Sequence, residues 1–164
     1  MASIHINIGS NKNRSHNIRL AINELEKHFT DIVVSSIFES PSEGFKGNDF
    51  YNLGVNTTTL MTGKEVVTTL RSIETSLGRD RTLPKFSSRI IDLDLVLYDD
   101  LVIDTLNVPR DDILKYAFVL APLAEISPEE IHPIEKNTYS NLWSTFKSQQ
   151  DFQLNQYKIE RLFE

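Results

Sequence analysis

Two aspartates lie two positions apart in one of the most apolar segments of the chain. Asp92 and Asp94 interrupt residues 89–98, a segment rich in Ile, Leu and Val that is typical of a β-strand. Side chains alternate between the faces of a strand, so both carboxylates point the same way, about 7 Å apart. One Mg²⁺, or two close together, would fit between them. The opposite face is expected to enter a core through Ile91, Leu93, Leu95 and Leu97.

A strand face in contact with solvent is the competing interpretation of this pair. Asp-x-Asp is a common pattern, and on spacing alone we favour that interpretation. Asp is, however, a poor strand former, so two of them within an apolar strand require a reason, and a bound cation is a good one. Arg89 begins the strand and nominally faces the core, but local twist could turn it toward the same cleft.

The loop in front of this strand is rich in cations. It contains Arg79, Arg81, Lys85 and Arg89, although the formal net charge of the chain is −6. Basic side chains gather where phosphate groups bind. A solvated loop with an ion pair to Asp80 is the plainer interpretation. We favour a polyphosphate site, because metal-binding acids and phosphate-binding bases are adjacent in the sequence.

Two further residues suit a ligand with a flat ring. Asn52 lies on a predicted strand, residues 50–57, and shares a face with Gly54. The glycine allows close approach, and the amide offers both a donor and an acceptor. An exposed polar strand face explains these residues about equally well. Phe86, in the basic loop, could stack on such a ring or anchor the loop to the core.

Length and composition limit the class of protein. The chain has 164 residues, which suits a single domain over residues 1–164 with a sizeable core. The absence of cysteine excludes disulfides, thiolate zinc sites and thiol nucleophiles. The acidic net charge argues against a nucleic-acid partner. Without a signal-peptide pattern or a membrane-spanning apolar run, we expect a cytoplasmic protein that has no membrane partner.

Apolar periodicity predicts strands and helices in alternation. The order is strand, helix, strand, strand, helix, strand, which indicates a ferredoxin-like α+β fold, a βαββαβ core sheet with helices on one face. The first helix should begin near Asn13 or Ser15, and the second should follow a capping box at Thr62–Glu65 and end at Gly78. The predicted strands cover residues 3–8, 32–38, 50–57 and 89–98.

The polar face of the predicted sheet should carry Asn52, Asp92 and Asp94 beneath the loops 41–48 and 80–88. The composition of the first loop is typical of a mobile lid or of a plain surface excursion. His5 and Asn7 share the polar face of the first strand, and for His5 we expect contact with solvent.

The part of the chain after the Asp strand is predicted in less detail. Asp99-Asp100 should turn into a small hairpin over residues 101–103, and residues 109–112 should open a helix. Pro122 and Pro128 are expected to break the following region into short helical turns. A last helix is predicted over residues 138–146, and residues 157–163 could not be placed.

Several short motifs occur in a fixed order from Ile4 to about Pro128. The most specific is Arg89-Ile90-Ile91-Asp92-Leu93-Asp94-Leu95. The others are Ile8-Gly9-Ser10-Asn11, Ser40-Pro41 with Gly44, Phe50-Tyr51-Asn52, Ile73-Glu74, Gly78-Arg79-Asp80-Arg81, Val108-Pro109 and Phe118-Val119-Leu120-Ala121-Pro122-Leu123. Each motif alone is weak, but the ordered set resembles the hydroxymethyldihydropterin pyrophosphokinase family of folate biosynthesis.

This resemblance implies transfer of diphosphate from ATP to the hydroxymethyl group of 6-hydroxymethyl-7,8-dihydropterin, with release of AMP. It implies two Mg²⁺ ions on Asp92 and Asp94, and small-molecule partners only, in a monomer or weak homodimer. The implied catalytic residues are Arg79, Arg89 and Asp94. The implied ATP-binding residues are Glu74, Arg81, Lys85, Arg89 and Arg110. The implied pterin-binding residues are Ser40, Pro41, Glu43, Asn52, Phe86 and Phe118.

The chain departs from the family pattern at a few positions. Arg110 stands where the family usually has His, and it can still hold phosphate. Asp111 stands where Tyr is frequent, and Tyr116 replaces an Arg. Loss of that cation could weaken polyphosphate binding or its stabilisation about ten- to a hundredfold. Smaller departures are Phe50, Phe86 and Ser87.

Other functions remain open from the sequence. A catalytically weakened pterin- or nucleotide-binding protein of the same fold is motivated by Asp111 and Tyr116. A ferredoxin-like interaction module with purely surface acids is a second alternative, and the basic loop beside the aspartates argues against it. A metal-dependent nuclease would use the same aspartates, but the net charge of −6 without a basic stripe is against it.

Overall fold

The chain folds as one antiparallel sheet with helices on both faces. The computed structural model describes residues 1–42, 46–79, 82 and 90–164. The strands are β1 (Ala2–Ser10), β2 (Val33–Val34), β3 (Ile37–Ser40), β4 (Phe50–Thr59), β5 (Asp92–Tyr98) and β6 (Asn155–Tyr157). The helices are α1 (Arg14–His28), α2 (Gly63–Ser76), α3 (Asp112–Lys115), α4 (Ala117–Ile126) and α5 (Tyr139–Gln149), with short 3₁₀ turns at Asp104–Leu106 and Ile159–Phe163.

The strand order confirms the predicted fold class. The sheet runs β5-β1-β4-β3-β6, with β2 also paired to β4, and each of these pairings is antiparallel. The predicted second strand is divided into β2 and β3 at Ser35. The Ser35 hydroxyl oxygen accepts the Gly54 N–H at 2.8 Å, which ties this break to β4. With β2 and β3 counted as one element, the order is that of a ferredoxin-like α+β sheet.

The main core lies between the sheet and helices α1 and α2. Both helices bury residues at helical spacing, among them Ile18 and Leu25 of α1 and Val66 and Leu70 of α2. The predicted capping box at the start of α2 is present, with reciprocal bonds between Thr62 and Glu65. These helices therefore cover one sheet face, as the sequence predicts.

Helix α4 covers the opposite face, packing on β3 and β4 and carrying α5 on its far side. Seven of its ten residues are buried, so it is held by apolar packing on nearly all sides. Pro122 lies inside this helix, so the prediction that Pro122 breaks the chain is wrong. A proline removes one N–H from a helix, and here the packing of α4 outweighs that loss.

His5 is buried, contrary to the predicted contact with solvent. Its side chain lies on the face covered by α4, and only 2% of the residue is exposed. The ring Nδ1 is 2.6 Å from Asn56 Oδ1, and a Cβ built on Gly54 would lie 2.6 Å from the ring carbon Cε1. Gly54 therefore leaves room for the imidazole. Burial lowers the pKa of His5 to about 4, against a smaller upward effect of the bond to Asn56.

A β-bulge in β5 changes the face of Leu97. Leu95 pairs with Ile6 and Leu97 pairs with His5, so Val96 is an extra residue on β5. Beyond the bulge, Leu97 packs in the second apolar cluster with Val96 and residues of α4. The prediction that Leu97 shares a core face with Leu93 and Leu95 is wrong, because strict alternation ends at the bulge.

The segments after β5 differ in detail from the sequence prediction. Asp99 forms a turn, but residues 101–103 do not continue into a second strand of a hairpin; Ile103 instead forms an isolated bridge with Val108.

The C-terminal tail pairs with β3 through β6 and then buries Leu162 in the main core, beside α1. Among the described residues, no helix combines the length and the apolar character needed to cross a bilayer.

Candidate active site

Asp92 and Asp94 lie on the sheet face opposite α1 and α2. Asp92 is opposite Gly9 in the sheet register, and Asp94 is opposite Asn7. Both carboxylates are partly open to solvent, with 27% of the Asp92 side chain and 41% of the Asp94 side chain exposed. The prediction that the two aspartates share one face is therefore confirmed.

Glu74 ties helix α2 to the strand that carries the aspartates. The residue is 3% exposed, and its Oε2 accepts the backbone N–H of Leu93 at 2.8 Å. The same oxygen accepts a hydrogen bond from Arg79 Nη1 at 2.6 Å. That guanidinium nitrogen is also 2.7 Å from Asp92 Oδ1. Arg79 is consequently held between a buried carboxylate and one of the paired aspartates.

A second arginine, Arg110, lies near Asp94. The Arg110 backbone N–H donates to the carbonyl of Val96, the bulged residue, at 3.0 Å. Arg110 follows the cis peptide bond between Val108 and Pro109. Its guanidinium donates to Asp112 Oδ2 and lies 3.9 Å from Asp94 Oδ1. The bulge thus supplies the backbone contact that brings this cation to the aspartates.

The protonation of Asp94 reflects these neighbours. Desolvation raises the pKa of this carboxyl above its ordinary value, and Arg110 acts in the opposite direction. A further cation near Asp94 would therefore favour its charged form.

The paired carboxylates fit Mg²⁺ better than a metal that needs a full protein ligand set. No group of three or more His, Asp or Glu side chains with metal-binding geometry occurs within the described ranges. Mg²⁺ is commonly held by one or two carboxylates, with substrate phosphates and water completing its shell. Asp92 and Asp94 supply that donor set.

Asn52 lies in the same cross-sheet row as Asp92, with Gly9 between them. The register pairs Asn52 with Gly9 and Gly9 with Asp92, so the two side-chain positions are about 10 Å apart across two strand spacings. A Cβ built on Gly9 would lie 2.7 Å from Asn52 Oδ1. The glycine is needed because the Asn52 amide lies directly over it.

The other predicted ring-binding residues surround this row. Ser40 ends β3 opposite Phe50; it is buried, and its hydroxyl has no hydrogen-bond partner in the described part of the chain. Pro41 is exposed at the beginning of the following loop. Phe118, in α4, is half-buried and stacks on Tyr116 with ring centroids 4.9 Å apart and planes 17° apart.

Part of the predicted site cannot be placed. Glu43, Arg81, Lys85, Phe86 and Arg89 lie outside the described residues. Of the four predicted cations of the loop, Arg79 alone belongs to the described ranges.

Sequence reasoning missed two contributions to this region. It placed Asn7 on the polar face without a role, whereas the Asn7 side-chain amide donates to the Phe118 carbonyl at 3.2 Å. It also assigned Glu74 to ATP binding and overlooked the hydrogen bond that this carboxylate accepts from the Leu93 N–H. A proline four residues after Phe118 was a signal for the first, since it leaves that carbonyl without its helical donor. For the bond to Leu93, the signal was that Glu74 is an ionisable residue among the buried positions of α2, where a charged group needs a partner.

A cavity of about 660 Å³ lies elsewhere, at the opposite ends of β1, β4 and β5. Its lining includes Ser3, Thr58 and Asp99 but neither Asp92 nor Asp94. This cavity is therefore separate from the face that carries Asp92 and Asp94.

An antiparallel α+β sheet that presents two carboxylates and two arginines on one face has the components of an enzyme that transfers phosphate groups from a nucleotide. A protein-family model described as 7,8-dihydro-6-hydroxymethylpterin-pyrophosphokinase matches residues 5–128. The chain belongs to this family. It is a pyrophosphokinase of folate biosynthesis, and it transfers pyrophosphate from ATP to hydroxymethyldihydropterin.

Similar proteins agree with this assignment. The 2-amino-4-hydroxy-6-hydroxymethyldihydropteridine pyrophosphokinase of Aquifex aeolicus is 35% identical over 138 residues, which are 82% of this chain and 86% of that protein. The bifunctional protein FolKE of Lactococcus lactis is 33% identical over 77% of this chain and 38% of its own length. The crystal structure of wild-type Plasmodium falciparum HPPK-DHPS shares the fold, with a TM-score of 0.72 at 14% identity, over 90% of this chain and 45% of that chain.

Proposed function

We propose that the pyrophosphate transfer takes place on the face that carries Asp92 and Asp94, with two Mg²⁺ ions held by these carboxylates. The observation that carries this proposal is the placement of the pair between two arginines, Arg79 at 2.7 Å from Asp92 and Arg110 at 3.9 Å from Asp94. Carboxylates that can bind a metal and guanidinium groups that can bind phosphate therefore lie close together on one solvent-accessible region of the sheet.

The carboxylates would bind the metal together with the triphosphate of ATP. Bound Mg²⁺ would neutralise phosphate charge and make the β-phosphorus a better electrophile. Desolvation raises the pKa of Asp94, and a cation at this position would favour the charged form of its carboxyl. Asp92 would share its negative charge between Arg79 and the metal.

The arginines would hold the phosphates as the bond from the β-phosphorus to the AMP oxygen breaks. Glu74 fixes Arg79 before substrate binds, so little reorganisation is needed when charge develops. Arg110 is oriented by its backbone bond to Val96 and its contact with Asp112. Arg81, Lys85 and Arg89 stay predicted contributors to the same region, with Arg89 as a further catalytic residue.

The pterin would lie in the row beside the aspartates. The Asn52 amide would read the polar edge of the ring, and Phe118 would stack on its face. Ser40 and Pro41 border the same region, and Glu43 and Phe86 stay predicted contacts. This arrangement would direct the hydroxymethyl oxygen at the β-phosphorus. That oxygen forms the new bond and loses its proton, and AMP leaves with the electron pair of the broken bond.

The test is AMP release from ATP, Mg²⁺ and reduced hydroxymethylpterin, for the unmodified chain and for Asp94→Ala. We expect pterin-dependent AMP that is lost in Asp94→Ala. Asp100→Ala is the matched control, because Asp100 is an exposed acid on the turn just beyond β5. Equal rates in all three proteins would reject the aspartate pair as the metal site.

Tyr116 supports a second candidate, a weakened enzyme that still binds its ligands. Its ring is stacked on Phe118, at the position where the resemblance to the family implies an arginine. Binding of ATP and pterin without AMP formation would favour this candidate. Restoration of turnover by Tyr116→Arg would then identify the cause.

The remaining predictions concern the setting of the enzyme. We infer a single domain for residues 1–164, because both apolar clusters pack on the same sheet. We also propose a cytoplasmic location, where ATP is plentiful, and a monomer or weak homodimer. Sedimentation at increasing protein concentration would measure the last of these.

A further inference from the structure

The Asn7 side chain lies between the two halves of the proposed active site. The residue is 6% exposed and belongs to the face of β1 that carries the site. In the sheet register it is opposite Asp94 on one side and Gly54 on the other. Side chains opposite each other in an antiparallel pair have Cβ atoms about 5 Å apart, so Asn7 and Asp94 are direct neighbours.

Pro122 creates the acceptor that Asn7 satisfies. In a regular helix, the carbonyl of Phe118 would accept the N–H of the residue at position 122. Proline has no N–H, so this carbonyl lacks its helical partner. Asn7 Nδ2 donates to it at 3.2 Å. The first turn of α4 is thereby bonded to the sheet at the position next to Asp94.

We propose that Asn7 is a positioning residue, which fixes Phe118 relative to Asp94 and so aligns the pterin with the diphosphate. The inference rests on the proposed function, in which Phe118 stacks on the pterin. Asn7 touches neither substrate in this arrangement. It acts through the helix that carries the aromatic ring, and small errors in such alignment slow group transfer strongly.

Asn7→Leu tests the contact, because leucine keeps the branching and the number of heavy atoms of the side chain and removes the donor. We expect KM for the pterin to rise about five- to tenfold, with KM for ATP within about twofold of the parent. Thr57→Val is the matched control. It is also nearly isosteric, and it removes a buried 2.7 Å bond to the Thr30 carbonyl at the far end of β4. In this control, KM for the pterin and KM for ATP should both stay near the parent values.

Pro122→Ala gives a sharper test, since alanine restores an N–H for the Phe118 carbonyl. In this background Asn7→Leu should change KM for the pterin by less than about twofold. If Asn7 had only a structural role, Asn7→Leu would lower the amount of folded enzyme equally in the parent and in Pro122→Ala. The KM values would then not change. Asn7→Ala provides the same comparison if Asn7→Leu does not fold.

The outcomes separate this inference from the proposed function. If the unmodified enzyme forms no AMP, the proposed function itself is rejected. An active parent with unchanged pterin KM in the Asn7 variants would overturn the positioning role. An equal KM rise with and without Pro122 would also overturn it, because the effect would then not pass through the Phe118 carbonyl.

Discussion

The carboxylate of Glu74 accepts the backbone N–H of Leu93, 2.8 Å away, at the point on β5 that lies between Asp92 and Asp94. The same oxygen binds Arg79, which in turn contacts Asp92. One buried acid of α2 therefore fixes both the strand that carries the aspartates and the cation beside them. Its negative charge is balanced by an arginine that also faces the proposed phosphate site.

Glu74→Gln is expected to lower both stability and activity. Glutamine keeps the shape of the side chain but removes its charge. Arg79 then loses the buried carboxylate that binds it, and Asp92 becomes the main anionic group in contact with its guanidinium. We expect a loss of about 1–3 kcal/mol in the free energy of unfolding, measured by urea denaturation. The kcat should fall while KM for the pterin stays near that of the parent.

Glu129→Gln, at an exposed position, is the control for loss of one acid and should change neither quantity. A Glu74→Gln enzyme with parental kcat would show that Arg79 is positioned without this carboxylate. A destabilised enzyme with parental kcat would limit Glu74 to a structural role.

Gly9→Ala is expected to impair pterin binding selectively. The added methyl group would lie 2.7 Å from Asn52 Oδ1, closer than real contacts allow, so the amide must move. We expect KM for the pterin to rise about tenfold and KM for ATP to change little. Steady-state kinetics with each substrate varied in turn would measure both.

The double variant with Asn52→Ala distinguishes this effect from general damage. If Gly9→Ala acts by displacing the amide, it should add little once the amide is absent. Additive effects of the two substitutions would mean that the methyl group disturbs the strand pairing instead.

The regular parts of this fold could be predicted because local patterns determine them. Alternation in β1 and β4, the Thr62 capping box and Gly78 each place an element boundary without knowledge of the rest of the chain. The shared face of Asp92 and Asp94 follows from the same alternation. These features depend on residues that are near one another in sequence.

The errors arise where distant segments meet. Val96 forms a bulge that Arg110 contacts through its backbone, and no pattern within β5 indicates it. The burial of His5 depends on α4, which begins more than a hundred residues later. Pro122 stays inside a helix because packing and the amide of Asn7 compensate for its missing N–H. Each of these features requires the three-dimensional structure.

Thr62→Ala is expected to destabilise the enzyme without changing its kinetics. The Thr62 hydroxyl oxygen accepts the Glu65 N–H at 3.2 Å and forms half of the capping box of α2. Loss of such a cap typically costs about 1 kcal/mol. Thermal unfolding should shift downward while kcat and both KM values remain parental. A kinetic change would indicate that the start of α2 affects the Glu74 end of the helix.

The buried imidazole of His5 is expected to make stability depend on pH. The His5 pKa is lowered from 6.5 to about 4, so the unfolded chain takes up a proton at a pH where the folded chain does not. Stability from this group is therefore complete above about pH 6.5 and is lost as the pH falls toward 4. The slope reaches about 1.4 kcal/mol per pH unit, so a pKa difference of about 2.5 gives a total loss of about 3.4 kcal/mol.

Urea denaturation of the parent and of His5→Gln at pH 7, 6 and 5 measures this contribution as a difference in slope. Acidic groups titrate in both proteins and cancel in the comparison. The parent should lose more stability per pH unit than His5→Gln, whatever their relative stability at pH 7. His16→Gln, an exposed histidine replaced in the same way, should retain the parental slope. Parallel slopes for the parent and His5→Gln would mean that the imidazole gains a proton in the folded state, and hence that α4 opens at this site as the pH falls.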